Sequence, residues 1–117
     1  MHTIIAGSRT VTEYNELIKA IRASDITPTV IISGTAQGAD KLGERYGAEH
    51  NIPVERFSAD WDMYGKRAGY IRNVEMTNAA EALICLWDGV SKGALHMINI
   101  AKERGLKIYV HRVDIKE

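Results

Sequence analysis

Short β-branched runs that end in glycine turns and lead straight into amphipathic stretches constrain this chain more than any other feature. Thr3-Ile4-Ile5-Ala6 runs into Gly7-Ser8-Arg9, and Thr29-Val30-Ile31-Ile32 runs into Ser33-Gly34-Thr35-Ala36-Gln37-Gly38-Ala39-Asp40. Further apolar runs at Val54 to Phe57, Ala82 to Trp87 and Lys107 to His111 bring the expected strands to five. Their length and β-branched content suit strands. Helical spacing fills the gaps between them. Tyr14, Leu17, Ile18 and Ile21 share one face after a Thr12 cap, and Ala39, Leu42, Gly43, Tyr46, Gly47 and His50 share another. Gly43 and Gly47 lower helix propensity but let that helix approach a sheet closely. A third helix is expected from Lys66 to Asn78. A fourth should run from Lys92 to Arg104, with Ala94, Leu95, Ile98 and Ala101 inward and Gly105 as its stop.

Near-continuous apolar strands alternating with helices call for a mainly parallel sheet covered on both faces. The expected fold is α/β, a single Rossmann-like domain over residues 1–117 with about five strands. Ligands of such sheets sit beyond the carboxyl ends of the strands, where the winding reverses. With the first strand central, that point lies between Gly7-Ser8-Arg9 and Trp87-Asp88-Gly89, and the turn after the second strand stands beside it.

A chain of 117 residues buries about two-thirds of its unfolded surface and needs no covalent staple. Fifteen basic and fifteen acidic residues cancel, so the net field that draws proteins to nucleic acid or anionic membranes is missing. Cys85, the lone cysteine, lies in an apolar run and reads as a small buried hydrophobe in a reducing compartment. No stretch approaches the ~18 apolar residues of a membrane span, and the expected location is the cytoplasm, bacterial or that of a phage's host.

The glycine turns carry the chemistry. A helix that follows a tight turn points unpaired amides back at it, which makes an anion cradle. Gly7 permits close backbone approach, Ser8 offers a hydroxyl and Arg9 a bidentate fork for phosphate. In the second turn Ser33, Gly34 and Thr35 supply small polar groups, and Gly38 and Ala39 keep the helix start uncrowded. Asp40 can cap that helix or hold a ribose hydroxyl. The turn is neither a Walker A loop nor the dinucleotide fingerprint, so ATP hydrolysis and hydride transfer are not indicated. The stretch Asp60 to Asn73 gathers acids, bases, aromatics and glycines in the way binding rims do. There Trp61 or Tyr64 could stack on a base, and Lys66, Arg67 or Arg72 could reach phosphate, with Asn73 beside them. Asp88, Gly89, Ser91 and Gly93 open the last helix as another amide-rich segment. The scattered histidines show no metal spacing, and His96 falls on the outer side of its helix. No metal and no cofactor are expected.

The ordered set Gly7-Ser8-Arg9, Ile32 to Asp40, Asp60-Trp61, Tyr64-Gly65, Gly69, Ile71-Arg72-Asn73 and Met76 resembles the YspA/YpsA-related branch of the SLOG superfamily, from Gly7 to about Val110. That resemblance implies kinship with the Rossmann-like cores of DprA and of the LOG phosphoribohydrolases, and so binding of nucleotides, nucleotide sugars or ADP-ribose-type signals. By matching position it places Gly7, Ser8, Arg9, Ser33, Gly34, Gly38, Ala39 and Asp40 around phosphate and ribose, with Arg72 and Asn73 across from them. Two departures stand out. Thr35 replaces a common second glycine, and Gly93-Ala94 replaces a usual Gly-Thr. The acid that LOG enzymes carry just beyond Gly-Thr is absent from Leu95, His96, Met97 and Ile98.

The leading expectation is therefore a binding module for a small phosphorylated nucleoside, nucleotide sugar or ADP-ribose derivative, serving sensing or sequestration. The enzymatic alternative is an N-glycosidic hydrolase with Asp40, Glu44 or Asp88 as its acid. A second alternative, DprA-like single-stranded DNA binding, is disfavoured by the neutral charge balance. A homodimer is the expected assembly.

Overall fold

The computed structural model describes residues 1–114. All five strands lie in one parallel sheet of order β3-β2-β1-β4-β5. They are β1 (His2–Gly7), β2 (Val30–Ser33), β3 (Val54–Arg56), β4 (Ala82–Trp87) and β5 (Lys107–Arg112). β1 sits at the centre. The chain winds outward through β2 and β3 on one side and returns through β4 and β5 on the other, so the switch point falls between β1 and β4.

Alternation along the strands sends residues to two separate cores. Ile5, Ile31, Ile84 and Leu86 pack with Leu17 and Ala20 of α1 (Tyr14–Ser24) and Ala39 and Leu42 of α2 (Ala39–Glu49). On the opposite face Ile4, Ala6, Ile32, Leu83 and Cys85 pack with Met76 of α4 (Ala68–Ala79) and Ala94, Met97, Ile98 and Ala101 of α5 (Lys92–Glu103). Both faces are thus covered, as apolar parallel strands require. The two helical glycines bring α2 onto the sheet: a β-carbon at Gly43 would lie 2.8 Å from Ile5, and one at Gly47 2.5 Å from Val54.

Four local expectations are corrected, the first being Leu95, which is exposed on α5 and does not face inward. Glu13, not Thr12, precedes α1, and it makes no side-chain capping bond. Buried Val11 donates its N–H to the Ser8 carbonyl at 3.2 Å, which carries the turn further before the helix begins. The helix expected from Lys66 is instead a short α3 (Trp61–Tyr64), a 3-10 turn over Gly65–Arg67 and then α4. Asp60 starts α3 by accepting the Met63 N–H at 3.0 Å, and Gly65 at φ +58° ends it. Finally, His96 does not face solvent but is half-buried between α5 and α4. No helix among the described residues is long and apolar enough to cross a membrane.

His111 of β5 and Glu16 of α1 form a 2.6 Å contact that ties the edge strand to its covering helix. The His111 hydrogen bond holds the Glu16 carboxyl below its ordinary 4.5. A lowered carboxylate stabilises the fold above the unfolded-state value, and that contribution disappears as pH falls through the folded one. Glu16→Gln should therefore cost below about 1 kcal/mol at neutral pH and progressively less as the pH is lowered into the acid range, read by urea unfolding across that range.

Candidate functional site

Parallel strands deliver all their following turns to one edge of the sheet, and here the turns after β1, β2 and β4 are stitched together. Ser8 joins the first to the third: its N–H donates to Leu86 O at 2.9 Å, and its Oγ accepts the Asp88 N–H at 3.0 Å. The first and second turns meet through the Ala39 N–H, which donates to Ser8 O at 3.3 Å. Gly38 makes that approach possible, because a β-carbon there would lie 2.5 Å from the carbonyl oxygens of Ser8 and Arg9. Its φ of +77° is likewise one that glycine accepts without strain.

Beneath this rim lies a cavity of about 400 Å³. Its walls include Gly7, Arg9, Asp40, Arg72, Asn73, Asp88, Ser91 and Gly93 of the residues singled out from sequence. Ser8, Ser33, Gly34, Thr35, Gly38, Ala39, Gly89, Tyr64 and Glu44 are not part of the lining. Most of these build the rim from behind. Ser33 is fully buried, donating to Glu44 Oε2 at 2.7 Å and accepting the Thr35 N–H at 3.1 Å. Glu44 in turn holds Arg56 at 3.2 Å on the outer side. Thr35 takes a left-handed φ of +63°, uncommon for a β-branched residue. Tyr64 is exposed on α3.

Sequence reasoning missed Ala6, Thr10, Ala36, Gly69, Tyr70, Ala94 and Met97 as cavity walls, while Trp61 and Lys66, weighed there, do line it. Tyr70 lies three residues before Asn73 on α4, and that helical spacing was a usable signal. Ala6, Ala94 and Met97 look like ordinary core residues in the sequence, and nothing marks them.

Three cations and two carboxyl groups meet in the cavity. Arg9 and Lys66 are exposed, whereas Arg72 is partly buried: its Nη1 donates to Gly34 O at 2.5 Å and its Nε to Asn73 Oδ1 at 3.2 Å. Burial lowers the Arg72 pKa, and Asp40 opposes that shift. Gly34 permits the arrangement, since a β-carbon there would lie 2.8 Å from Asp40 Oδ2 and 3.1 Å from Arg72 Nη1.

The carboxyl groups differ in character. Asp40 is 5% exposed and accepts one N–H, from Ala36, at 3.1 Å. Burial pushes its pKa from 3.8 up to about 6, against the pull of the Ala36 bond and of Arg72. Desolvation acts on Asp88 in the same direction but loses to its hydrogen bonds. Val90 N–H at 2.9 Å, Ser91 N–H at 2.8 Å and the Thr10 hydroxyl at 2.8 Å, helped by Ser8, bring Asp88 down to about 2. Asp88 is thus a fixed anion that folds its loop, and Asp40 is the carboxyl able to exchange a proton near neutrality.

A family model of YspA, cpYpsA-related SLOG proteins matches residues 1–64, more than half of the 117-residue chain. The chain belongs to the YspA, cpYpsA-related SLOG family. It is also similar to the Gene 61 protein of Mycobacterium phage D29, at 33% identity over 85 residues, covering 68% of each chain. The residues matched by the SLOG family model carry both glycine turns, Asp40 and Trp61. Arg72, Asn73 and the loop after β4 follow that segment and close the cavity from the other side. SLOG membership supports a nucleotide-related ligand-binding or glycosidase-like role in general.

Proposed function

We propose that the protein binds a small phosphorylated nucleoside, nucleotide sugar or ADP-ribose-type ligand at the carboxyl edge of its sheet, for sensing or sequestration. The observation that carries this reading is a cavity at the topological switch point whose walls hold Arg9, Lys66 and Arg72 together with a half-exposed Trp61. The cations suit phosphate, and the indole offers a face on which a base can stack. Asp40, beside Arg72, is placed to accept a ribose hydroxyl.

Arg72 is the group to remove. Its guanidinium is already held by Gly34 and Asn73, so it presents its remaining donors with little further loss of freedom. Arg72→Ala is expected to weaken AMP or ADP-ribose binding about 10- to 100-fold, from the loss of a charge-assisted hydrogen bond worth ~1.5–3 kcal/mol. Arg72→Lys should recover only part of it. Calorimetric titration reads both, and unchanged affinity in Arg72→Ala would remove the site from this position.

The proton-exchanging carboxyl of Asp40 specifically favours a second reading, N-glycosidic hydrolysis of the same ligand class. A neutral Asp40 could donate a proton to the departing base, and its carboxylate could then activate water. Incubation with nucleoside monophosphates and ADP-ribose, followed by chromatography for free base or ribose phosphate, tests it. Turnover that vanishes in Asp40→Asn supports hydrolysis; ligand recovered intact supports binding alone.

A further inference from the structure

We infer that His96 is a positioning residue for Arg72, acting through Asn73, and that it does so only as the neutral imidazole with its proton on Nε2. This role rests on the ligand reading above. Asn73 is 6% exposed, and its amide is surrounded by three groups. Oδ1 accepts from Arg72 Nε at 3.2 Å, while Nδ2 lies 3.4 Å from the Gly93 carbonyl oxygen and 3.3 Å from His96 Nδ1.

The donor and acceptor inventory leaves one consistent assignment. Arg72 Nε is always a donor, so the oxygen end of the amide must face it. The NH₂ end is then turned to Gly93 and His96, and an NH₂ can only donate. His96 Nδ1 must therefore be a bare acceptor. Reversing the amide would set NH₂ against the Arg72 N–H, and protonating the ring would set an imidazolium N–H against the NH₂. Either change leaves a buried donor without a partner.

The bonds form a chain across the cavity. Gly93 and His96 at the start of α5 hold Asn73 of α4, Asn73 holds Arg72, and Arg72 Nη1 reaches Gly34 in the turn after β2. Burial lowers the His96 pKa below its ordinary 6.5, which favours the neutral ring, and Glu103 on the same helix opposes this. From α4 the ring meets Tyr70, with centroids 4.4 Å apart, as well as Asn73. The sheet presents apolar Ile4, Ala6, Leu83, Cys85 and Ile108 to this helix layer. Arg72 itself is faced by Asp40 and Arg9.

Nitrogen-15 NMR of the full chain, with and without ADP-ribose as probe, tests the assignment. ADP-ribose is chosen because its diphosphate stays ionised across the range. Asp40→Asn is used as a parallel background, so that titration of Asp40 does not mix with that of His96. At pH 7.5 the ligand-free protein should show the Nε2–H tautomer of His96. As pH falls, the Arg72 Nε–H resonance should move with the His96 midpoint, below 6.5. His96→Gln, whose side-chain oxygen accepts without titrating, should keep ADP-ribose affinity at pH 7.5 and abolish that step. His96→Phe should lose about 3- to 10-fold in affinity, for want of one accepted hydrogen bond. An Nδ1–H tautomer, or an Arg72 step that persists in His96→Gln with Asp40→Asn, overturns the positioning role. If the linked titration is seen but ADP-ribose never binds, His96 does position Arg72 and it is the ligand reading that fails.

Discussion

Gly7→Ala is expected to destabilise the fold by about 4 kcal/mol, a large share of the ~5–15 kcal/mol available to a domain of this size. Gly7 is the last residue of the central strand and has φ +152°. A β-carbon there would be driven into the backbone of Leu86 in β4, its carbonyl oxygen above all. That oxygen also accepts the Ser8 N–H, so relief of the clash would separate β1 from β4 at the rim of the cavity. Strain and overpacking each cost roughly 1–3 kcal/mol, and both apply. The thermal midpoint should fall by about 10–20 °C. Gly93→Ala is the control, because no atom lies within 4 Å of its β-carbon position and it sits in the first turn of α5. Its stability should stay level or rise by up to about 1 kcal/mol. Equal midpoints for Gly7→Ala and wild type would mean that the first and third turns are not in contact.

The same comparison marks what the sequence could and could not reveal. Runs such as Ile31-Ile32 and Leu83 to Leu86 are apolar on consecutive residues, so they disclosed strands buried on both faces and hence the parallel sheet. Glycine turns after β1 and β2 disclosed the edge of the sheet where the cavity lies, for the same local reason. Long-range partners were not legible. Ser8 and Ser33 look like phosphate-facing hydroxyls in the sequence, yet Ser8 accepts the Asp88 N–H and Ser33 donates to Glu44. Each partner lies on another element, and a string of residues carries no record of it. His96 shows the limit most plainly, since periodicity placed it outward and only the packing of α4 on α5 brought it to Tyr70 and Asn73. The break before α4 was closer to readable, for Asp60 three residues before Met63 and the glycine at 65 are ordinary start and stop signals.

Asp40→Asn is expected to make the protein more stable at neutral pH, by about 2–3 kcal/mol, while removing its proton-exchanging group. The sign follows from the raised pKa. In the unfolded chain the carboxyl ionises near 3.8, and in the fold at about 6 because burial disfavours the charge. The native state therefore holds its proton over a range where the unfolded chain has released one. Asp40 contributes fully to stability below pH 3.8, and that contribution is lost as pH rises to about 6 and then stays lost. A shift of roughly two pKa units corresponds to ~3 kcal/mol. Asparagine keeps an oxygen for the Ala36 N–H and carries no charge, so its unfolding free energy should lack this slope. The two proteins should match near pH 3.5 and diverge steadily to pH 6.5 in urea titrations. A variant less stable than wild type at pH 7.5 would show instead that the Arg72 guanidinium more than compensates the buried carboxylate. Retaining a costly buried acid at the wall of a cationic cavity is intelligible if the acid serves the ligand, because a purely structural acceptor for one N–H need not be charged.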